Sequence, residues 1–178
     1  MKNEDTDLNE SILVIGGCRS GKSRHALQLA EKICDVHRVF IATCVPYDEE
    51  MKDRVRRHQA ERNSSWITVD APVELAEAIH TYSQSACVIL VDCLTLWMSN
   101  LLMESPNLDH RIEELTEAIS RADCPVVLVS NEVGTGIVPE NALARQFRDA
   151  VGFANQKIAA CADEVIWVVA GIPVKIKG

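Results

Sequence analysis

The chain has 178 residues, 47% of them apolar and 25% charged, which suits one globular domain with a substantial core and is short for two. A net charge of -8 withholds the positive charge on which non-specific binding to nucleic acid or anionic membrane depends, and no apolar run reaches the length of a membrane span. Residues 1–10 are polar and acidic, unlike a secretory signal, and are expected to form a flexible tail ahead of a single domain over 11–178. Seven cysteines are odd in number, dispersed and never spaced C-x-x-C. They are expected to be reduced thiols in a cytoplasmic protein, rather than disulfides or a zinc site.

In chain order, the first predicted strand is the apolar run Ile12-Leu13-Val14-Ile15, with three β-branched residues, as in a strand buried on both faces. Gly16, Gly17, Cys18, Arg19, Ser20, Gly21, Lys22 and Ser23 follow and match the pattern G-x-x-x-x-G-K-S/T. Good helix formers then predict a helix over 22–34. Strand, glycine loop and helix N-terminus is the arrangement that surrounds a polyphosphate with backbone N–H groups. Further strands are expected at 38–42, 66–69, 88–91, 126–130 and 165–170, with helices at 49–62, 73–81, 108–122 and 142–162. In the helix at 108–122, Ile112, Leu115 and Ile119 share one face and Glu113, Glu117 and Arg121 the other. Residues 172–177 leave room for a short extra strand at the C-terminus. The alternation predicts a P-loop NTPase-like, doubly wound α/β domain, with a mainly parallel sheet flanked by helices.

The glycines let the loop curl tightly and approach phosphate oxygens. Lys22 is placed for the β- and γ-phosphates, and the Ser23 hydroxyl for Mg²⁺. The partner acid belongs at the tip of another buried strand, where Asp92 follows Val88-Ile89-Leu90-Val91; a turn or N-cap role is the alternative. Asn131-Glu132-Val133-Gly134 lacks the lysine and aspartate of a guanine-reading Asn-Lys-x-Asp sequence, which argues against a regulatory GTPase. Gly134 and Gly136 serve either a loop that covers a substrate or plain turns. Arg54, His58 and Arg62 fall at i, i+4, i+8, with Lys52, Arg56 and Arg57 beside them. Alone, that cluster reads as a solvated helix face; in a phosphate site the arginines would bind phosphate and His58 could act as acid, base or nucleophile.

Five segments taken together resemble one family. They are the phosphate loop, Arg54 to Arg62 with Trp66, Asp92-Cys93-Leu94-Thr95-Leu96-Trp97 with Asn100-Leu101-Leu102, Ser130 to Asn141, and Arg145-x-Phe147-Arg148-Asp149. The order and spacing look like those of the bifunctional adenosylcobinamide kinase / adenosylcobinamide-phosphate guanylyltransferases of cobalamin biosynthesis. The resemblance runs from about Ile12 to Lys177. It implies phosphorylation of adenosylcobinamide by ATP or GTP, then transfer of GMP from GTP through a guanylylated histidine to adenosylcobinamide phosphate. His58 occupies the guanylylated position. Ala42, Thr43 and Cys44, the residues Gln59, Ala60, Glu61 and Arg62, and Asp70 and Asp92 occupy nucleotide-binding positions. Asp70 and Asp92 stand where relatives often carry glutamate, one methylene longer. Cys18 is read as a small filler in the loop, and Trp97 and Met98 as core or subunit contact. The resemblance also implies Mg²⁺ with the nucleotide and a homotrimer. Two other readings stay open: a phosphate-loop kinase of another small molecule with His58 a bystander, and a non-catalytic GTP-binding switch module.

Overall fold

A computed structural model describes residues 10–60, 62, 64–104 and 107–178, without the side chains of Arg54, Arg57, His58 and Gln59. Residues 1–9 of the expected tail lie outside the described residues. The β1 strand (Ser11–Gly16) leads through the glycine loop into α1 (Lys22–Ile33), and β2 (Arg38–Ala42) follows. Next come α2 (Glu49–Ala60), β3 (Trp66–Asp70), α3 (Leu75–Ser83), β4 (Val88–Asp92), α4 (Leu94–Glu104) and α5 (Leu108–Ser120). The chain ends in β5 (Val126–Asn131), α6 (Ala142–Cys161), β6 (Glu164–Val169) and β7 (Ile172–Lys177).

The strands form one sheet in the order β3-β2-β4-β5-β1-β6-β7, parallel except for β7. Both faces of the central strands β1, β2, β4 and β5 are covered, as their continuous apolar runs require. Leu13, Ile41, Ile89, Val91 and Leu128 point toward α3 to α6, and Val14, Phe40, Leu90, Val127 and Val129 toward α1. On α1 the buried apolar contacts are Ala26 and Ala30, whose small side chains bring the helix close to the sheet. The expected face of α5 is inward, with Ile112, Leu115 and Ile119 buried.

Two expectations change, and one helix is added. The helix expected at 49–62 ends at Ala60, so Arg62 leaves the helical face predicted to carry Arg54 and His58. Residues 94–104 form a helix that has no apolar stripe to read, because Leu94, Thr95, Trp97, Met98, Asn100 and Leu101 are buried around most of its circumference. Cys34 and Cys87 form a disulfide, which corrects the expectation that every cysteine is a free thiol. They stand 53 residues apart, so no local spacing marks them. Neighbouring parallel strands bring them together: Cys34 caps α1 ahead of β2, Cys87 leads into β4, and the Cys87 N–H donates to the His37 carbonyl at 2.9 Å.

At the amino edge of the sheet, Ser11 N–H and Oγ donate to Asp163 Oδ2 at 2.8 and 2.7 Å, which holds that carboxyl below its usual range. A depressed folded-state pKa contributes stability above the ordinary carboxylate range and loses it as pH falls through the depressed value. Asp163→Asn is therefore expected to be less stable than the parent at neutral pH, with the difference closing in acid, in urea titrations across pH. Reduction of the disulfide is expected to lower unfolding free energy by about 4 kcal/mol for a closed loop of this length. A Cys34→Ser variant should show the same loss and no further response to reductant.

Candidate nucleotide site

The functional edge is set by strand register. Asp70, Ala42 and Asp92 lie side by side at the carboxyl ends of β3, β2 and β4. Asn131, Gly16 and Val168 do the same on β5, β1 and β6. In a parallel sheet with helices on both faces, this edge is where ligands bind.

At Gly16 the chain turns where no side chain fits: a Cβ would sit 2.5 Å from the Val168 carbonyl oxygen and 2.6 Å from Ser20 Oγ. At Gly17 a Cβ would meet nothing within 4 Å, so that stretch of backbone faces open space. Gly21 takes φ +93°, a conformation that favours glycine, and Arg19 takes φ +54°. The Gly21 carbonyl accepts from the His25 N–H at 3.0 Å and so begins α1. Lys22 is buried, and its Nζ donates to the Gly17 carbonyl at 3.1 Å across the loop. Ser23 follows in the first turn of α1, half-buried. Cys18 is exposed rather than packed, so the filler reading gives way: its neighbours at the loop apex do not enclose it.

The loop has a brace that sequence inspection missed. Ala170 (φ +50°) and Gly171 (φ +82°) form the two-residue turn between β6 and β7, and the Gly171 N–H donates to the Ser20 carbonyl at 2.8 Å. Consecutive positive φ angles are the backbone signature of a tight hairpin; the Ala-Gly pair is a weak sequence signal for it.

Asp92 is held from behind. The Thr43 side chain is fully buried, and its Oγ1 both accepts from the Cys93 N–H at 2.8 Å and donates to the Cys93 carbonyl at 2.7 Å. Asn100 Nδ2 donates to the carbonyls of Thr43 and Pro72 at 2.8 and 2.9 Å, which joins the ends of β2 and β3 to α4. Thr43 is therefore a scaffold for the Asp92 turn, and its side chain is not available to a nucleotide. A parallel arrangement supports β5: the Asn131 N–H donates to Thr95 Oγ1 at 2.7 Å, and Asn155 Nδ2 donates to the Asn131 carbonyl at 3.1 Å. Ser130 Oγ donates to Asn155 Oδ1 at 2.6 Å. Asn100, Thr95 and Asn155 are polar residues at core positions of helices, which is the signal that could have found them.

Beside Asp92 lies a cleft between β2, β3, β4 and α2, lined by Ala42, Cys44, Arg62, Asp70, Asp92 and apolar neighbours that include Met51 and Val55 of α2. The Arg62 guanidinium lies over the Phe40 ring, 3.6 Å from its centroid. Cys93 also borders this cleft, but burial and the adjacent Asp92 charge push its thiol up to about 12, which removes it as a nucleophile near neutral pH. Ala60 is exposed at the end of α2. His58 lies in α2, the helix that walls the cleft. The side chains of His58, Arg54 and Gln59, and Glu61 altogether, lie outside the described residues. Thus the structure gathers Arg62, Ala42, Cys44, Asp70 and Asp92 around one cleft, on the same sheet edge as the loop of residues 16–23, which rises from β1, two strands beyond β4.

A glycine loop closing on a buried lysine, at the carboxyl edge of a parallel sheet, defines a phosphate-loop nucleotide-binding α/β protein. Solved structures agree on the fold. A KaiC-like protein of Pyrococcus horikoshii aligns over 90% of this chain and 71% of its own, with a TM-score of 0.52 and 13% identity. The flagellar accessory protein FlaH of Methanocaldococcus jannaschii aligns over 96% and 79%, with a TM-score of 0.55 and 12% identity. Sequence narrows the class: residues 12–176 match the family model for CobU, cobinamide kinase / cobinamide phosphate guanyltransferase, and the chain belongs to that family. It is 43% identical to the bifunctional adenosylcobalamin biosynthesis protein CobU of Escherichia coli, over 93% of this chain and 99% of the relative. It is 44% identical to CobU of Salmonella typhimurium over the same shares, and 39% identical to CobP of Pseudomonas aeruginosa over 93% and 96%.

The Thr43 clamp is testable by two substitutions. Thr43→Val leaves the Cys93 N–H without its buried partner, while the Cys93 carbonyl keeps the Trp97 N–H at 3.1 Å, and is expected to cost about 2 kcal/mol in denaturant unfolding. Thr43→Ser, which keeps the hydroxyl, should recover most of that loss.

Proposed function

We propose that this protein catalyses both reactions named in its family, on a single phosphate loop. In the kinase reaction, the acceptor hydroxyl of adenosylcobinamide attacks the γ-phosphorus of a nucleoside triphosphate, the hydroxyl proton leaves, and the nucleoside diphosphate departs with the bridging oxygen. Lys22 and the loop N–H groups hold the phosphates and offset their charge. In the second reaction, an imidazole nitrogen of His58 attacks the α-phosphorus of GTP and pyrophosphate leaves, giving a phosphoramidate. A phosphate oxygen of adenosylcobinamide phosphate then displaces the histidine and forms adenosylcobinamide-GDP.

One observation carries this reading: the phosphate loop and the cleft walled by α2 open on the same sheet edge, with Asp92 between them in strand order. A neutral imidazole is a competent nucleophile near pH 7, and arginines nearby suit the charge of a transferring phosphate. Arg62 on the Phe40 ring and Asp70 across the cleft offer a cationic plate and a carboxylate for a guanine nucleotide. The backbone of Ala42 and Cys44, at the end of β2, completes that wall.

Ser23 and Asp92 fit Mg²⁺ by their donor chemistry, a hydroxyl and a carboxylate oxygen at the loop and at the end of β4. Such an ion usually keeps one or two protein ligands and takes the rest from the nucleotide's phosphates and water. When bound, Mg²⁺ would supply charge stabilisation to the phosphates. A trimeric assembly is part of the proposal by family resemblance, and so is a cytoplasmic location. No helix among the described residues is long and apolar enough to cross a membrane.

Incubation with GTP labelled at the α- or γ-phosphate, followed by denaturation, tests the nucleotidyl step. We expect acid-labile, base-stable retention of the α-label alone, absent in His58→Ala, while that variant still phosphorylates adenosylcobinamide. Retention of label in His58→Ala, or equal loss of both activities, would overturn the assignment.

A further inference from the structure

A second cleft, of about 330 Å³, lies on the other side of the phosphate loop from Asp92. Its walls come from the loop apex at Arg19 and Ser20, the segment after β5 at Glu132 and Thr135, and the end of β6 at Trp167 and Val169. We infer that this cleft takes the nucleobase of the triphosphate that serves as phosphoryl donor, with the Trp167 ring as its stacking surface. The inference rests on the kinase activity proposed above and adds where the donor is read.

Strand order supplies the argument. Asp92 ends β4, and the order from there is β5, β1, β6. Three strand steps, about 14 Å in all, separate the Asp92 side from the Trp167 side, with the phosphate loop rising from β1. A triphosphate whose γ end faces Asp92 across this loop extends its ribose and base toward β6. The wall it meets there is built for a flat ring. Trp167 is 42% exposed, whereas Trp66 and Trp97 are 8% and 1% exposed. Its neighbours on the same sheet face continue an apolar strip: Val174 opposite it on β7, then Val169 paired with Ile172, all exposed. An exposed tryptophan in a contiguous apolar strip beside an anion-binding loop marks a ligand surface.

The polar side of the cleft points the same way. Glu132 places a carboxylate here, with Oε1 accepting from the Gly134 N–H. A carboxylate repels phosphates, so its partner in a bound nucleotide is a ribose hydroxyl or a base amine. Thr135 adds a hydroxyl of either polarity. The Arg62 cleft is thereby left for the guanine nucleotide of the transfer reaction. One loop then holds triphosphates whose bases lie in different clefts for the two reactions.

Kinase kinetics of Trp167→Ala and Trp167→Phe test this, varying ATP and adenosylcobinamide separately. Loss of one base-stacking surface should raise the KM for ATP roughly 5- to 100-fold without raising that for adenosylcobinamide. Trp167→Phe should restore most of the ATP KM. A rise for adenosylcobinamide alone would make this the acceptor site and overturn the inference. Equal rises in both, or none, would also overturn it, since a merely structural tryptophan behaves so. Tryptophan emission gives a readout independent of turnover: a non-hydrolysable ATP analogue should quench the wild type and leave Trp167→Phe unquenched. Absence of quenching in the wild type contradicts the inference; absence of any kinase activity alongside normal quenching contradicts instead the reaction proposed above.

Discussion

The site depends on a close approach at Gly16, where the backbone of β1 passes the Val168 carbonyl with no room for a side chain. That contact lets the chain turn from the sheet at once and return through Gly21 into α1, so the loop's N–H groups encircle a space instead of splaying outward. It also explains why the loop is braced from the β6 side. The hairpin turn at Ala170 and Gly171 reaches back to Ser20, so the turn into β7, a strand exposed along its whole length, still bears on the phosphate loop.

The rest of the carboxyl edge is organised by buried polar side chains that act on backbone groups. Thr43 and Asn100 tie the ends of β2, β3 and β4 to α4, and Thr95 and Asn155 tie β5 to α4 and α6. Strand ends carry backbone groups that the next turn cannot satisfy, and leaving them buried and unpaired is costly. Meeting them with side chains from helices fixes the turn after Asp92 and the position of Asn131 by hydrogen bonds from the core. The residues proposed to bind and those that position are thus distinct, though they alternate along the same short segments.

Much of this was legible in the sequence, for identifiable reasons. The strands β1, β2, β4 and β5 and their parallel sheet follow from apolar runs buried on both faces, as at Val88–Asp92, and α5 follows from its apolar stripe. The phosphate loop is local, so its motif carries its geometry. What escaped was non-local or lacked a period. A helix buried around most of its circumference has no stripe to show α4. Strand adjacency alone joins Cys34 to Cys87. The resemblance puts Thr43 at a nucleotide-binding position, and nothing in the sequence shows that its hydroxyl faces inward to Cys93. Arg62 departs from the helical spacing of Arg54 and His58 because α2 stops at Ala60, and its ring contact with Phe40 appears only in three dimensions.

In the proposed function one phosphate loop serves both reactions, with the remaining residues dividing the labour around it. The sequence holds a single such loop, and Lys22 is its buried cation. The most direct measurement is therefore a pair of assays on Lys22→Ala, shown to be folded by its unfolding transition: phosphorylation of adenosylcobinamide, and retention of α-label from GTP. Both are expected to fall together by orders of magnitude. Full retention of α-label in a variant that no longer phosphorylates would place the guanylyl step at a phosphate site of its own and contradict the claim.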